Sequence, residues 1–288
     1  MTARVTDAVI LMAGSGSRLA AGGHVLPKPL IRIAGREVFS YAIDALAAVG
    51  IQKLHVITGR NGEALLPRLR ELLPAGIELN PIHNPESQKQ NGLSVLVAAR
   101  HVSSPFLLTM GDHLFDASII DLLTRAADLE RLNVAIDRKT SEIFDLADAM
   151  KVQTERDRVV AIGKELKNFD AIDTGLFVCP LEIFDYLERA KRDGDCGLAD
   201  GVRAMASDGK VRAVDIGDAW WQDIDTPGML AAAEKVLGGS RGRFTASPAA
   251  PRKDQRREGV NKEEMQDPAR QSKRGQNQKG KKDDVSFC

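Results

Sequence analysis

Short apolar runs alternate with amphipathic segments of helical period through the first 132 residues. Apolar spacings of three and four residues predict helices at Val38–Val49, Gly62–Leu73, Gly92–Val102 and Ala117–Leu132. Strand-length apolar runs stand between these helices, at Ala8–Met12, Leu54–Thr58, Ile77–Leu79 and Pro105–Met110. Strands that alternate with helices predict an α/β fold, in which a mostly parallel sheet is flanked by helices.

The pattern becomes richer in strands after residue 132. Two more helices are predicted, at Ile183–Lys191 and at Pro227–Leu237, with Thr226 as the N-cap of the second. The predicted strands are Val134–Asp137, Ala149–Gln153, Val159–Gly163, Gly175–Val178 and Val211–Asp215. The sheet is therefore expected to be mixed, with a β-rich second half.

The composition changes after Gly238-Gly239-Ser240. Residues 241–288 carry 13 Lys and Arg against 7 Asp and Glu, a net charge of +6, and they contain few apolar residues. Such a segment cannot bury enough apolar surface to offset its ordering entropy. We expect a folded domain at 1–240 and a disordered, polar, basic tail at 241–288. The tail is either a solubilising extension or a segment that touches anionic lipid, and its seven acids weaken the second alternative.

Charge and cysteine usage exclude several classes of protein. The whole chain has no net charge, and residues 1–240 carry −6, so a nucleic-acid-binding protein is not expected. The sequence contains no apolar run of the roughly 18 residues that a membrane span needs. Three cysteines without metal-ligand spacing are typical of a reducing compartment. We expect a soluble cytoplasmic protein.

The first predicted strand runs into a glycine-rich turn, Leu11-Met12-Ala13-Gly14-Ser15-Gly16-Ser17-Arg18. Gly-x-Gly-x-Arg after a strand presents backbone N–H groups that a polyphosphate can approach closely. Leu19 stands where a dinucleotide-binding fingerprint has its third glycine, and the Gly-Lys-Ser/Thr of a Walker A loop does not follow. The turn alone is compatible with a phosphate site or with a simple strand-to-helix connection.

Lys28 makes the phosphate site the better interpretation. It follows Arg18 by ten residues and lies between Pro27 and Pro29. The two prolines fix φ on both sides of Lys28, which favours an extended loop over a helix. A lysine held in this way can reach the same phosphates as a point charge.

Two separate regions offer carboxylates for Mg²⁺. Asp112 directly follows the apolar run that ends at Gly111, and in α/β sheets ligands bind at the carboxyl ends of strands. Asp223 and Asp225 would point to the same side of a strand, where two carboxylates repel unless a cation or solvent lies between them. We assign Asp225 to the metal. The alternatives are N-cap roles, for Asp112 at the helix near Ala117 and for one of the later pair.

A polar loop, Ser87-Gln88-Lys89-Gln90-Asn91-Gly92-Leu93-Ser94, leads into a predicted helix. Amide and hydroxyl side chains both donate and accept hydrogen bonds, so this loop could read the edge of a base. An ordinary polar loop is the alternative.

Four residues of the second half are candidates for binding a second substrate. Lys151 and Lys164 flank a predicted hairpin and could bind an anion, although lysines at such places are mostly solvated. Asp173 ends a loop before a strand, and Gly175 could let a ligand approach the backbone.

These motifs together resemble the sugar-phosphate nucleotidyltransferases, and among them the inositol-1-phosphate cytidylyltransferases, which form one part of bifunctional enzymes. The superfamily resemblance rests on Leu11–Leu19, Leu26-Pro27-Lys28-Pro29-Leu30 and Gly111-Asp112. The closer resemblance rests on Asn84-Pro85-Glu86, Asn91–Ser94, Leu108–His113, Lys151–Gln153, Ile162–Leu166, Asp170–Gly175 and Trp221–Pro227. The resemblance covers about residues 6–237 and implies a Rossmann-like, GT-A-like nucleotidyltransferase fold.

The resemblance also implies roles for the candidate residues. The phosphates of CTP would lie over Gly14–Arg18, Lys28 would stabilise charge on the α-phosphate, and Asp112 and Asp225 would hold Mg²⁺. A phosphate oxygen of the acceptor would attack the α-phosphorus in line, and pyrophosphate would leave, without a protein nucleophile or base. The implied catalytic residues are Lys28, Arg18 and Asp112. The implied nucleotide-binding residues are Leu11, Met12, Ala13, Gly14, Ser15, Gly16, Lys28, Asn91, Gly92, Ser94 and Asp112, and those for the acceptor are Lys151, Lys164, Asp173 and Gly175.

Three functions remain open from the sequence. The first is cytidylyl transfer from CTP to inositol 1-phosphate, with the CDP-inositol passed to a separate membrane transferase, since some family members carry such a domain where this chain has a polar tail. The second is transfer to another acceptor, such as phosphocholine, a phosphonate, a sugar 1-phosphate or a molybdenum cofactor. The third is a non-catalytic nucleotide-binding regulatory subunit, which the presence of Lys28, Asp112 and Asp225 disfavours.

Overall fold

The alternating pattern folds into one mixed sheet with helices packed against both of its faces. The computed structural model describes residues 4–14, 19, 27–60 and 62–239, and all of these belong to one compact unit. The strands of the described part are β1 (Asp7–Met12), β2 (Arg32–Ile33), β3 (Arg36–Glu37), β4 (Lys53–Thr58), β5 (Glu78–His83), β6 (Phe106–Met110), β7 (His113–Phe115), β8 (Leu132–Asp137), β9 (Lys151–Glu155), β10 (Arg158–Gly163), β11 (Ala171–Cys179), β12 (Val211–Asp215) and β13 (Trp221–Asp223).

Seven α-helices lie in the described part of the chain. The extended loop predicted around Lys28 was wrong, because Lys28 begins a short 3₁₀-helix, Lys28–Leu30, in which the N–H groups of Leu30 and Ile31 donate to the carbonyls of Pro27 and Lys28. A second 3₁₀-helix, Val97–Arg100, continues the third α-helix. The α-helices are α1 (Val38–Val49), α2 (Gly62–Leu72), α3 (Asn91–Leu96), α4 (Ala117–Ala126), α5 (Ile183–Ala190), α6 (Leu198–Ser207) and α7 (Pro227–Gly239).

Nine of these strands form the main sheet, in the order β5-β4-β1-β6-β11-β8-β12-β10-β9. The pairs β5–β4, β4–β1, β1–β6 and β8–β12 are parallel. β11 runs antiparallel to both β6 and β8, and β10 is antiparallel to both of its neighbours. The predicted division into a parallel first half and a mixed, strand-rich second half is confirmed.

The central strand β1 shows why helices cover both faces. Val9 and Leu11 pack into a core with α3, α5 and α6, whereas Ala8, Ile10 and Met12 pack into a second core with α1, α2 and α4. Successive side chains of a strand point to opposite faces, so a strand covered on both sides must be apolar at every position. The continuous apolar run Ala8–Met12 is therefore the mark of a central strand.

Several predicted boundaries were wrong. β11 begins at Ala171, so Asp173 lies inside this strand and not in a loop before it, and β5 extends to His83. The helix expected at Ala117–Leu132 ends at Ala126, and β8 begins at Leu132. The side chain of Asn133 explains the difference. Its Oδ1 accepts from the backbone N–H of Asp128 and its Nδ2 donates to the carbonyl of the same residue, at 2.9 and 2.8 Å. These bonds stabilise a turn in place of further helix.

No helix was predicted from the sequence at α6. Gly201 is in fact a packing position, since a Cβ there would lie 2.7 Å from Cδ2 of Leu187 on α5. Gly197 precedes the helix, and its N–H is capped by Oδ2 of Asp200 at 2.8 Å.

The predicted tail, 241–288, lies outside the described residues. Within the described part, none of the helices combines the length and the apolar character that a bilayer crossing requires.

Candidate active site

A two-stranded sheet beside the main one brings the two predicted metal ligands together. β7 and β13 pair antiparallel, with Asp223 opposite His113. Just beyond this pair, the N–H of Ile224 donates to the carbonyl of Asp112 at 2.9 Å. Residues more than a hundred positions apart thus meet at the carboxyl end of β6, which is the edge where the fold predicts a ligand.

Lys28 lies between the two carboxylates. Its Nζ is 2.9 Å from Oδ2 of Asp112 and also makes an ion pair with Oδ1 of Asp225. All three side chains are largely buried, because 17% or less of Lys28 and Asp225 and 24% of Asp112 is exposed. The ammonium therefore neutralises two carboxylates that would otherwise repel each other.

The capping roles that were alternatives for these carboxylates belong to other residues. Asp116, not Asp112, is the residue before α4. Thr226 caps α7, as predicted, because its Oγ1 accepts from the N–H of Met229 at 3.3 Å. Asp112 and Asp225 are thus placed at the ion-pair site and not at a helix start.

The charge states of this cluster follow from burial and from its ion pairs. Burial opposes the charged form of Lys28, but the carboxylates of Asp112 and Asp225 outweigh it and raise the pKa of the ammonium. Burial would likewise raise the pKa of Asp112, but His113 and Lys28 outweigh it and hold that pKa well below its usual range. Lys28 and Asp112 are therefore both charged at neutral pH.

His113 fixes the other oxygen of Asp112. The Nδ1 atom of His113 lies 2.9 Å from Oδ1 of Asp112, and its ring stacks on Trp221 with centroids 6.2 Å apart and planes at 18°. Trp221 is itself anchored, because its Nε1 donates to Oδ2 of Asp137 at 3.0 Å. Burial lowers the pKa of His113, but Asp112 and the nearby Asp223 outweigh it and raise that pKa.

Gly175 lies against the Nε2 atom of the His113 ring. Its φ is +74°, in the left-handed region that favours glycine, and a Cβ there would lie 2.5 Å from Nε2 of His113. From the sequence, Gly175 was predicted to let a ligand approach the backbone. The close neighbour is instead the His113 imidazole, so the role of Gly175 as a direct substrate contact stays a prediction.

Two further carboxylates face the site, and among the described residues no cationic side chain is hydrogen-bonded to them. Burial raises the pKa of Asp173 to about 6, offset in part by the N–H of Gly175, which donates to its Oδ1 at 2.8 Å. Burial also raises the pKa of Asp223, aided by the charge of Asp225. Both groups hold protons more tightly than ordinary carboxyls do.

A cleft of about 270 Å³ contains most of the predicted nucleotide-binding residues. Gly92 is not among its lining residues, because it packs against Cys196. Ser15, Gly16 and Arg18 lie outside the described residues. The cleft is lined by Leu11, Met12, Ala13, Gly14, Lys28, Pro29, Ser87, Lys89, Asn91, Ser94, Met110, Gly111, Asp112 and His113.

A larger cleft of about 880 Å³ adjoins the first one, since Asn91, Met110 and His113 line both. Lys164, Asp173 and Gly175, which were predicted to bind the acceptor, are among its lining residues. Asp223 and Asp225 also line it, although β13 ends at Asp223 and Asp225 lies beyond the strand in which both were expected. The ion-paired cluster therefore lies at the junction of two clefts.

Lys151 does not line either cleft. It is buried, and its Nζ donates to the carbonyls of Ala147 and Ala149 at 3.0 and 3.3 Å. The structure thus places this lysine beneath the loop 145–149, which itself borders the larger cleft. Lys164, in contrast, lies at the rim of the larger cleft, where its ammonium pairs with Asp148 of the same loop.

Several lining residues were not assigned to the site from the sequence. Lys89 borders the smaller cleft, whereas Lys139, Phe144 and Trp221 border the larger one. The motif Gly111-Asp112-His113 and the stretch Trp221–Pro227 contained a signal for His113 and Trp221. Phe144 lies in an irregular segment, and no periodic pattern points to it.

The residues present fit a magnesium ion shared with phosphate. Asp112 and Asp225 converge on one point and offer only oxygen donors, which Mg²⁺ prefers. Among the described residues, no group of three or more His, Cys, Asp or Glu side chains is arranged to hold a metal. An ion at this place would complete its shell with phosphate oxygens and water, as Mg²⁺ in nucleotide sites does.

The fold and this site together define an α/β protein with a phosphate-type site at the carboxyl edge of its sheet. A family model described as "MobA-like NTP transferase domain" matches residues 8–195. The chain belongs to this family of nucleotidyltransferases.

Curated relatives agree with that assignment. The "bifunctional IPC transferase and DIPP synthase" of Thermococcus kodakarensis is 36% identical over 233 residues, which are 80% of this chain and 50% of the relative. The protein of the same name from Rubrobacter xylanophilus is 33% identical, over 81% of this chain and 52% of the relative. The chain therefore spans about half the length of these relatives.

A relative with a different acceptor in its name is also similar. The "CMP-5'-(3-aminopropyl)phosphonate synthase" of Streptomyces rubellomurinus is 30% identical over 243 residues, covering 77% of this chain and 37% of the relative.

Solved structures confirm the Rossmann-like nucleotidyltransferase fold. The inositol-1-phosphate CTP transferase from T. maritima superposes with a TM-score of 0.75 at 23% identity, over 85% of this chain and all of the other. A UDP-glucose pyrophosphorylase complexed with UDP-glucose superposes with a TM-score of 0.70 at 16% identity, over 82% of this chain and all of the other. At these identities the likeness concerns the fold.

Proposed function

We propose that the protein transfers a cytidylyl group from CTP to a phosphorylated alcohol, inositol 1-phosphate in the first place, with release of pyrophosphate. The observation that carries this proposal is the position of Lys28. Its ammonium lies at the junction of the two clefts, between the carboxylates of Asp112 and Asp225. A transferase needs its positive charge at the place where nucleotide and acceptor meet.

The reaction requires little covalent chemistry from the protein. An anionic oxygen of the acceptor phosphate forms a bond to the α-phosphorus of CTP, and the bond from that phosphorus to the bridging oxygen of pyrophosphate breaks. The attacking phosphate is already ionised, so a general base is not needed. Catalysis then consists of holding the two substrates in line and neutralising charge at the α-phosphate.

Asp112 and Asp225 would hold Mg²⁺, which supplies positive charge to the phosphate oxygens when bound. With these carboxylates engaged by the metal, the Lys28 ammonium is available to contact the α-phosphate. His113 keeps Asp112 in one orientation through its Nδ1 contact. Gly14 and the turn after it would receive the phosphates, with Ser15, Gly16 and Arg18 as the remaining contacts.

The larger cleft supports an acceptor rich in hydroxyl groups. Asp173 and Asp223 offer acceptor oxygens to hydroxyl hydrogens, and Lys164 offers a cation to the acceptor phosphate. The relatives named IPC transferase support inositol phosphate as that acceptor.

An amine-bearing phosphonate or phosphocholine is the second candidate acceptor. The relative named as an aminopropylphosphonate synthase favours it. Carboxylates and the aromatic rings of Phe144, Trp220 and Trp221 line the same cleft, and such a combination also suits an ammonium group.

A pyrophosphate-release screen tests the proposal. We expect release with CTP and inositol 1-phosphate in the presence of Mg²⁺, and much less with ATP, GTP or UTP. The other acceptors are phosphocholine, 2-aminoethylphosphonate and hexose 1-phosphates. Release with phosphocholine or the phosphonate alone would replace inositol by the second candidate, and no release with any pair would contradict a transferase.

The same proposal extends to the organisation of the chain. Residues 1–240 would form the catalytic domain, and deletion of 241–288 should leave turnover intact. The product would pass to a separate membrane transferase. A cytoplasmic location is supported by the free, buried thiols of Cys179 and Cys196, which are typical of a reducing compartment.

A further inference from the structure

The loop that carries the base-reading candidates is tied to a distant part of the chain. Four successive residues of this loop each hydrogen-bond to the segment 194–198, which we call the brace. The bonds join Nζ of Lys89 to the carbonyl of Gly194 (3.2 Å), the N–H of Gln90 to Oδ1 of Asp195 (3.0 Å), the N–H of Leu198 to Oδ1 of Asn91 (2.8 Å), and the N–H of Gly92 to the carbonyl of Cys196 (3.1 Å).

Close packing adds to these hydrogen bonds. A Cβ at position 92 would lie 2.6 Å from the carbonyl oxygen of Cys196 and 2.9 Å from its Sγ. Cys196 is fully buried, so it cannot move aside cheaply. The loop and the brace therefore hold each other in one arrangement, and Gly92 is required by this contact.

The brace also fixes which end of the Asn91 amide faces the clefts. Asn91 lines both clefts, and its Oδ1 is engaged by the N–H of Leu198. The group that remains for a ligand is its NH₂, which only donates hydrogen bonds. A donor at this place suits the N3 and O2 acceptors of cytosine, whereas uracil presents an N3–H donor in the middle of the same edge.

The brace is presented by a tight turn. The backbones of Arg192 and Asp195 exchange two hydrogen bonds, at 2.8 and 2.9 Å. The two residues between them, Asp193 and Gly194, have φ of +51° and +73°. A two-residue turn closed by two hydrogen bonds restricts the backbone at Asp195, so its carboxylate stays within reach of the N–H of Gln90.

We propose that the brace sets the base preference of the nucleotide site, with Asp195 as its positioning residue. The carboxylate of Asp195 holds the N–H of Gln90, and this holds the next residue, Asn91, with its NH₂ group toward the base. Asp195 itself does not line the smaller cleft, so it acts through the loop and not by touching nucleotide. The inference rests on the proposed function, since it takes the 87–94 loop as the base side of the site.

The test compares Asp195→Ala with Asp195→Asn in the full chain. Asp195→Ala removes the acceptor for Gln90, and we expect CTP to bind about 5- to 10-fold more weakly, with the preference for CTP over UTP falling by a similar factor. Asp195→Asn keeps an acceptor oxygen and should restore both quantities to within about 2-fold of the wild type. At saturating CTP, kcat and the acceptor KM should stay within about 2-fold for both variants.

Asp193→Asn is the matched control. It removes the same charge from the same turn, and its residue type tolerates a positive φ. Among the described residues, the Asp193 side chain makes no hydrogen bond or ion pair with the loop. It should leave the CTP preference unchanged. If Asp195→Ala does not fold, Asp195→Gln replaces it, because its longer side chain cannot keep the acceptor oxygen at the same place.

Binding of CTP and UTP is measured calorimetrically without acceptor, so the result does not depend on which acceptor the enzyme uses. A wild-type protein that binds both nucleotides equally well would overturn the inference, as would an Asp195→Ala variant that weakens both to the same degree. Asp195→Asn behaving like Asp195→Ala would also overturn it. Absence of pyrophosphate release in the full screen would instead remove the proposed function, while the binding preference would still be measured.

Discussion

Gly175 and His113 are in direct contact, and the contact leaves no room for a side chain on the glycine. A Cβ at position 175 would lie 2.5 Å from Nε2 of His113. The imidazole also stacks on Trp221, and its Nδ1 lies 2.9 Å from Oδ1 of Asp112. A residue on β11 thus controls the orientation of a carboxylate at the end of β6, through one imidazole ring.

The first prediction follows from this contact. Gly175→Ala should push the ring of His113 away and turn Asp112 out of line with Lys28. We expect kcat to fall by roughly 10-fold or more, since misplaced catalytic groups carry costs of this order. The free energy of unfolding should fall by about 1–3 kcal/mol, from the positive φ and the overlap together. Steady-state kinetics and urea unfolding measure the two effects.

Gly209→Ala is the control for the backbone. Gly209 has a φ of +70°, and a Cβ there would meet no atom within 4 Å. This variant should lose about 1 kcal/mol of stability and keep its kcat. If Gly175→Ala lost no more activity than Gly209→Ala, His113 would not be held as the structure indicates.

Gly175 and Gly209 both have a positive φ, but only the tertiary fold shows that Gly175 contacts a site residue. Features with a local sequence pattern could be predicted, and this contact could not. The apolar run Ala8–Met12 predicts a central strand, because a strand buried on both faces has no other pattern available. The Lys28 motif predicts a phosphate site, because two prolines and a glycine turn constrain the local chain. Gly175 has no such local signature, since the ring it contacts lies 62 positions earlier in the sequence. Contacts that only the tertiary fold creates stay outside a local pattern.

Tertiary contacts also explain why Lys151 and Lys164 have different environments. Both lysines flank the hairpin of β9 and β10, and the local sequence gives no sign that they differ. Their neighbours differ, because one ammonium meets backbone carbonyls and the other reaches the rim of a cleft. Helix α6 was also not predicted, and its Gly201 is required by a contact with α5 that only the tertiary fold creates.

The second prediction concerns the charge balance around Lys28. Lys28→Ala should reduce kcat by about 100-fold or more, a loss typical of removing a group that stabilises transition-state charge. It also leaves the carboxylates of Asp112 and Asp225 facing each other without their cation. Added Mg²⁺ should therefore raise the melting temperature of this variant more than that of the wild type. Thermal unfolding with and without MgCl₂ measures the effect without a turnover assay.

Two further variants interpret that result. Lys235→Ala removes an exposed lysine on α7 and should respond to Mg²⁺ like the wild type. Asp112→Asn should lose most turnover and should show a smaller Mg²⁺-dependent shift, since one ligand is gone. An equal Mg²⁺ response of Lys28→Ala and the wild type would argue against a metal between these carboxylates.

The third prediction uses the raised pKa of Asp173. The pKa of Asp173 is about 6 in the folded protein, against a reference of 3.8 for the unfolded chain. Between pH 3.8 and pH 6 the folded state therefore binds a proton at this carboxyl more tightly than the unfolded state does. Stability from this group is fully present below pH 3.8 and is lost as the pH rises through 6. Asp173→Asn should thus be more stable than the wild type at pH 7.5, by on the order of 1–2 kcal/mol.

The pH dependence of the stability difference between Asp173→Asn and the wild type serves as the control. Near pH 4 the carboxyl is protonated in the folded wild type, so the stability advantage of Asp173→Asn should shrink as the pH falls toward that value. Denaturant unfolding across this range gives the difference directly. A difference that stayed constant with pH would show that Asp173 does not titrate near 6. Acceptor KM should rise for Asp173→Asn at pH 7.5, because a carboxylate that accepts hydroxyl hydrogens is lost.

The fourth prediction separates the two lysines of the hairpin. Lys164→Ala should raise the acceptor KM by about 5- to 10-fold, which corresponds to the loss of one charge-assisted contact to phosphate. Its side chain is half exposed and its ion pair with Asp148 lies at the surface, so stability should change by less than about 1 kcal/mol. Lys151→Ala should leave the acceptor KM unchanged and should reduce stability instead. It leaves the carbonyls of Ala147 and Ala149 without their donor, and stability should fall by about 1–3 kcal/mol. Kinetics at saturating CTP and urea unfolding measure the two effects separately. If Lys151→Ala had normal stability and a raised acceptor KM, Lys151 would be an acceptor-binding residue after all.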